Sequence, residues 1–165
     1  MLLPLTKIPN KSLRKPSRAL SKVDLESDEI QTLIKNMIPT MYHERGIGLA
    51  APQVGVNVQL CIVGKGCIPE DFTLKNPDTD LVLVNPAYER AGRRAVLETE
   101  GCLSVPGTQG KVKRFKHIVV TALDENGKPL EFEAHGYFAH VIQHETDHLK
   151  GTLYIDKAKS VWDIE

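Results

Sequence analysis

The period of the hydrophobic positions changes several times along the chain, and each change marks an element. Residues 1–22 have no period; they are polar, basic and interrupted by Pro4, Pro9 and Pro16, which predicts an extended arm laid over the domain. From Asp24 to about His43, Ile30, Leu33, Ile34, Met37, Ile38, Met41 and Tyr42 recur at helical spacing. Ser27 is placed to cap that helix, but Ile30 stands where a capping box needs Glu. Pro39 costs the helix a hydrogen bond or bends it, yet the apolar stripe runs on past it. Gly46-Ile47-Gly48 ends the helix. Val58–Val63 and Leu81–Val84 are strand-like runs separated by a loop over Gly64–Asp80, and Pro86 closes the second. Ala95–Glu98 predicts a short strand and Lys111–Leu123 a long one. Asp124-Glu125-Asn126-Gly127 is a hairpin turn signal, with Leu130–Ala134 as the returning strand. Tyr137–Leu149 reads as a second helix stopped by Gly151, and Thr152–Ile155 as a last short strand. Strands in runs, not alternating with helices, point to an α+β fold with antiparallel sheets.

Composition mainly excludes. The 165 residues suit one domain, residues 1–165, with enough chain for a core. A hydrophobic content of 41% rules out a disordered chain. Lys plus Arg and Asp plus Glu both number 21, and a net charge of zero argues against nucleic-acid binding through bulk charge. Three cysteines are too few, and odd in number, for a disulfide framework, so free thiols in a reducing compartment are expected. No apolar run approaches the roughly 20 residues that span a bilayer, and the first ten residues show neither a secretory nor a transit pattern. These readings lead to a soluble cytoplasmic protein with no membrane partner.

The sharpest chemical signal is His144-Glu145-Thr146-Asp147-His148. Histidines at i and i+4 share a helix face and can bind one metal ion, with Glu145 in reach of a water as general base. A catalytic site needs a third ligand. Downstream, a histidine would be expected at position 154, where Tyr stands; 17 residues follow His148 and their only Glu is Glu165. Upstream, Cys102 in Glu100-Gly101-Cys102-Leu103-Ser104 lies in a loop able to present a sulfur, and thiolate suits a borderline or soft divalent metal. Its alternative is a buried small hydrophobe, the reading that fits Cys61 and Cys67. In Gly46-Ile47-Gly48-Leu49-Ala50-Ala51-Pro52-Gln53, small residues permit close approach of a ligand to the backbone and Gln53 offers an amide; a plain turn is the alternative. The segment has no phosphate-loop lysine and does not follow a strand, so a nucleotide site is excluded.

Taken together and in this order, the three segments resemble the peptide deformylase family, whose motifs are GxGLAAxQ, EGCLS and HExDH; Gln143, Leu149 and Gly151 match as well. The likeness runs from about Ile8 to Asp156. It implies antiparallel sheets around a central metal-binding helix, and removal of the formyl group from the N-terminal methionine of new polypeptides, with formate released. It implies Cys102, His144 and His148 as metal ligands and Glu145 as the proton carrier. Gln53 side-chain N–H and Leu103 backbone N–H would stabilise the oxyanion. The substrate would pair as an added strand with Ile47 and Gly48. Ile47, Glu100, Tyr137, His140, Val141 and His144 would line the methionine pocket. His140 also reads as a packed or hydrogen-bonded histidine, and Glu100 as a support for the Cys102 loop or a solvated residue, with Arg114 as its candidate partner. His43, His117 and His135 read as surface or structural. The implied metal is Fe²⁺, with Zn²⁺, Ni²⁺ or Co²⁺ able to substitute. The implied partners are formyl-methionyl nascent peptides and a transient ribosome contact, with the protein acting as a monomer. Many bacterial members carry a long basic C-terminal helix linked to ribosome docking; here Thr152 to Glu165 follow, with Trp162 near the end. Three other readings compete. A general zinc peptidase lacks its downstream ligand, and a non-enzymatic relative would have lost a ligand, Glu145 or Gln53. A cysteine-nucleophile hydrolase would need Cys102 free of metal.

Overall fold

The computed structural model describes residues 1–164. Glu165, weighed above as a ligand, lies outside them. The arm runs over the surface as expected, and its backbone ties down all three motif segments. Thr6 N–H donates to Gln53 O (2.7 Å), Ile8 N–H to Ser104 O (2.9 Å) and Ser17 N–H to Leu149 O (2.8 Å).

Two helices stand where one was expected, α1 (Lys22–Glu26) and α2 (Asp28–His43). Ser27 divides them. Its N–H donates to Asp24 O, and its Oγ accepts from Ile30 N–H (3.3 Å), so one residue ends α1 and caps α2. Pro39 stays inside α2, whose Ile30, Ile34, Met37 and Met41 are buried.

A five-stranded antiparallel sheet has the order β1 (Gly48–Ala50), β2 (Leu60–Val63), β3 (Leu81–Arg90), β6 (His117–Leu123) and β7 (Pro129–His135). A three-stranded antiparallel sheet orders β4 (Ala95–Cys102), β5 (Val105–Phe115) and β8 (Ala158–Asp163). Helix α3 (Gly136–His148) packs against both, and a turn of helix, α4 (Tyr154–Lys157), precedes β8. The larger sheet is covered on both faces. Cys61, Val63, Leu81 and Leu83 face a cluster with Phe138, Val141 and Ile142 of α3. Leu60, Ile62, Val82 and Val84 face a cluster with Met37 and Met41 of α2. Burial on both sides is why β2 and the start of β3 read as continuous apolar runs rather than alternating ones.

Several expected boundaries are corrected. The strand expected at Val58–Val63 begins at Leu60; Val58 instead forms a lone bridge with Arg18 of the arm. Pro86 does not close its strand. The ladder shifts register between Val84 and Ala87 and continues to Arg90, and this bulge accommodates a residue with no N–H to pair. Asn85, in the left-handed region at φ 51°, pairs its side chain with Leu20 N–H and C=O (both 2.8 Å). The strand expected at Ala95–Glu98 runs on to Cys102. The run Lys111–Leu123 is two strands in different sheets, broken at Lys116. Thr152–Ile155 is no strand. Asp156 accepts from Leu153 N–H (2.9 Å) and starts α4, while the last strand is β8, polar and exposed enough to escape pattern reading.

Gly151 ends the α3 segment at φ 78°, and a Cβ there would come within 2.3 Å of Arg14 O on the arm. Gly151→Ala is expected to cost about 1–3 kcal/mol of stability through backbone strain and displacement of the arm, seen as a lower Tm. An unchanged Tm would show that the arm is not held there.

Candidate active site

Helix α3 is buried nearly all round, although half of it is polar. Gln143 explains part of that. Its Oε1 accepts from Phe115 N–H (3.0 Å) and its Nε2 donates to Phe115 O (2.9 Å), locking the helix to the end of β5. The following residues project into a cleft of about 530 Å³ between α3, β1 and the β4–β5 hairpin, lined by Ile47, Gly48, Gln53, Glu100, Cys102, Leu103, Tyr137, His140, Val141, His144 and Glu145, among others. His148 closes the metal-ligand cluster beside it and is itself buried.

Cys102 Sγ lies 3.4 Å from His148 Nε2, and the His148 and His144 Nε2 atoms are 3.2 Å apart. All three donor atoms lie within 4.8 Å of one another, the one such group among the described residues. Donors bound to a tetrahedral ion at about 2.0–2.3 Å sit about 3.3–3.6 Å apart, so the group fits a single cation. His144 is oriented from behind, its Nδ1 on Glu100 Oε1 (2.7 Å), which leaves Nε2 for the cleft.

Glu100 is buried, which corrects the solvated reading, and its bonds run to α3 and β5 rather than to the Cys102 loop. It takes Arg114 Nε (2.8 Å) and Nη2 (3.0 Å), His140 Nε2 and His144 Nδ1. Burial alone would raise its pKa; the hydrogen bonds from His140, His144 and Arg114 outweigh burial and hold it far below the usual carboxylate range. Arg114 Nη1 also reaches Asp147 Oδ2 (2.6 Å), and Asp147 accepts from Tyr88 Oη (2.9 Å) and Lys157 Nζ (2.7 Å). This buried network under the helix was not foreseen beyond the Glu100–Arg114 pair. Its other clue was Asp147 within the motif itself.

Glu145 faces the cleft with one oxygen, Oε2, buried and unpartnered. Burial pushes its carboxyl up to about 7, with the Glu100 charge adding to the rise. Gly48 lies against it: a Cβ at that position would come within 2.7 Å of Glu145 Oε1, so a side chain there would displace the Glu145 carboxylate. Gln53 is anchored by its carbonyl, which accepts from Ala50 N–H (2.9 Å). Its Nε2 donates to Ser104 Oγ (3.2 Å) and lies 3.6 Å from Cys102 Sγ. Ser104, fully buried, was missed as a support for Gln53; its place in the third-ligand motif was the signal. Of the other cysteines, Cys61 is buried as expected and Cys67 is half-buried against the core. His117 bonds Glu133 (2.9 Å) and stacks on His135, away from the cleft.

The cleft therefore brings together a Cys-His-His donor set, a buried carboxylate and an amide donor, which together define a metal-dependent hydrolase. Residues 2–162 match the family model described as polypeptide deformylase. Peptide deformylase from Picosynechococcus sp. is 43% identical over 152 residues, covering 92% of this chain and 76% of that protein. The peptide deformylase of Thermodesulfovibrio yellowstonii is 42% identical, covering 94% of this chain and 88% of its own length. Among solved structures, class I type b peptide deformylase from Acinetobacter baumannii bound to Met-Ala-Ser superposes with a TM-score of 0.84 at 32% identity, covering 95% of this chain and 98% of that one. A peptide deformylase from Synechococcus elongatus in complex with actinonin gives 0.82 at 39% identity, covering 96% and 79%. The chain belongs to the peptide deformylase family. Its reaction is the hydrolytic removal of the N-formyl group from newly made polypeptides. No helix among the described residues is long and apolar enough to cross a membrane.

Proposed function

We propose that the whole chain works as one catalytic domain in which Cys102, His144 and His148 hold the metal and Glu145, Gln53 and Leu103 act on the formyl group. The carrying observation is the convergence of the three donor atoms, 3.2 and 3.4 Å apart, in a cleft that also holds the unpartnered oxygen of Glu145. The bound ion, Fe²⁺ in this reading with Zn²⁺, Ni²⁺ or Co²⁺ as substitutes, supplies Lewis acidity toward water and the formyl oxygen. Glu145 takes the proton of the attacking water and returns it to the leaving amine. Gln53 Nε2 and Leu103 N–H donate to the oxygen that gains charge as the formyl carbon becomes tetrahedral. The first side chain of the substrate enters the pocket formed by Ile47, Tyr137, His140 and Val141, over Glu100 and His144. Its backbone extends along the Ile47–Gly48 edge as an added strand. In this reading the enzyme works as a monomer on formyl-methionyl nascent chains in the cytoplasm.

The test is formate release from formyl-Met-Ala-Ser by protein purified without oxygen and loaded in parallel with Fe²⁺, Ni²⁺ or Zn²⁺. Turnover that stops on chelation and returns with metal is expected; a folded protein binding one ion per chain but inert with every metal would defeat the scheme. Cys102→Ser is expected to weaken metal retention by at least about 10-fold, as losing a ligand costs no less than losing its support, with circular dichroism unchanged. Full metal content after dialysis against chelator would remove Cys102 from the ligand set.

A further inference from the structure

The cleft continues beyond the groups that serve the first residue, and its far end carries a charge that the reaction does not use. Direction follows from geometry. Gly48 abuts Glu145, and β1 runs from Gly48 towards Gln53 and the metal ligands. A peptide whose formyl end lies at those ligands must therefore leave along Gly48, Ile47 and Gly46 in the opposite sense, towards Arg45. An extended chain advances about 3.3 Å per residue and alternates its side chains. The third residue then lies roughly 7 Å beyond the first, level with Arg45, with its side chain back on the protein side.

Arg45 lines the cleft mouth, exposed, just after α2, with φ at 60° and its N–H donating to Tyr42 O (3.0 Å). No carboxylate among the described residues pairs with its guanidinium. Glu44 beside it turns to His43 (3.4 Å), and Glu100 is bound by Arg114, His140 and His144. The cleft is also lined by Gln109 and by Ile164, whose N–H donates to Gly107 O (2.8 Å). Arg45 thus brings a cation with no ion-pair partner among the described residues to the end of the cleft where the third residue passes.

We propose that Arg45 is a specificity-determining residue that favours an acidic third residue in the substrate over a basic one. The proposal rests on the reading of this cleft as the formyl-peptide site. An exposed pair of this kind is worth about a two- to five-fold preference, and it weakens as salt shortens the screening length.

The test compares kcat/KM for formyl-Met-Ala-Glu, formyl-Met-Ala-Gln and formyl-Met-Ala-Lys, all amidated so that no terminal carboxylate reaches Arg45. A second set moves the charge to the middle residue. The wild type is expected to prefer Glu over Lys at the third position by about two- to five-fold at low salt, Arg45→Gln to lose the preference and Arg45→Glu to invert it. Both replacements keep a Cβ at the same backbone angle, so neither adds strain that arginine lacks. Ratios between substrates within one variant cancel differences in active fraction. An equal Glu/Lys ratio in wild type and Arg45→Glu, or a preference that responds only at the middle residue, would overturn the proposal. Absence of turnover on all three peptides would instead count against the cleft as the formyl-peptide site.

Discussion

Glu145→Gln is expected to retain its metal and lose about 10²–10⁴-fold in kcat on formyl-Met peptides, the usual contribution of a positioned general base. The amide keeps the size of the carboxylate and can still sit against Gly48, so packing around β1 and α3 should survive. What it cannot do is accept a proton from water and return one to the amine. The carboxylate suits that task because Glu145 lines the cleft and its Oε2 is buried without a protein partner. The check is single-turnover formate release together with metal analysis of the same sample. Turnover within a few-fold of wild type, with metal bound, would place the proton transfer on another group.

Arg114→Leu is expected to cost about 3 kcal/mol of stability, the low end for breaking a buried ion pair. Arg114 binds two carboxylates at once, Glu100 through Nε and Nη2 and Asp147 through Nη1, and all three side chains are almost fully buried. Leucine would leave both acids in place without that partner. Asp147 would keep Tyr88 and Lys157, and Glu100 would keep His140 and His144, which is why the low end applies. For a chain of this length the loss corresponds to a fall in Tm of about 6–12 °C. Activity should fall as well, because Glu100 orients His144 from behind. Arg114→Lys keeps the charge but not the forked geometry, and should fall between. A Tm within about 2 °C of wild type for the leucine variant would mean that the network is not under the load its burial suggests.

These two predictions concern different parts of the molecule, and the sequence revealed them unequally. The ligand cluster and Glu145 were legible because helical spacing is a local rule: residues 144 and 148 meet whatever the rest of the chain does. Cys102 and Gln53 were legible only as members of an ordered set of motifs, since nothing local brings positions 53, 102 and 144 together. The α+β class followed from grouped strands, and β2 showed its burial on both faces as an unbroken apolar run. Strand ends fared worse. Pro86 looks like a terminator until the bulge at Asn85 takes it out of the ladder, and Lys116 shows no sign that the chain changes sheets there. Strand β8 went unseen because an exposed strand pairing along one edge needs no hydrophobic pattern.

The sequence by itself pointed to His144, His148 and Glu145 through residue chemistry at short spacing, and to Cys102 and the reaction class through the three motifs in order. Only the tertiary structure decided which polar groups are buried and to whom they answer. Arg114 became the shared partner of Glu100 and Asp147, Ser104 the support of Gln53, and Gln143 the clamp on Phe115. It also placed Arg45 among the residues lining the cleft. The reason is physical: a buried charge or amide must find a partner, but the partner can come from any strand the fold brings near, and pairing across sheets leaves no period in the chain to read.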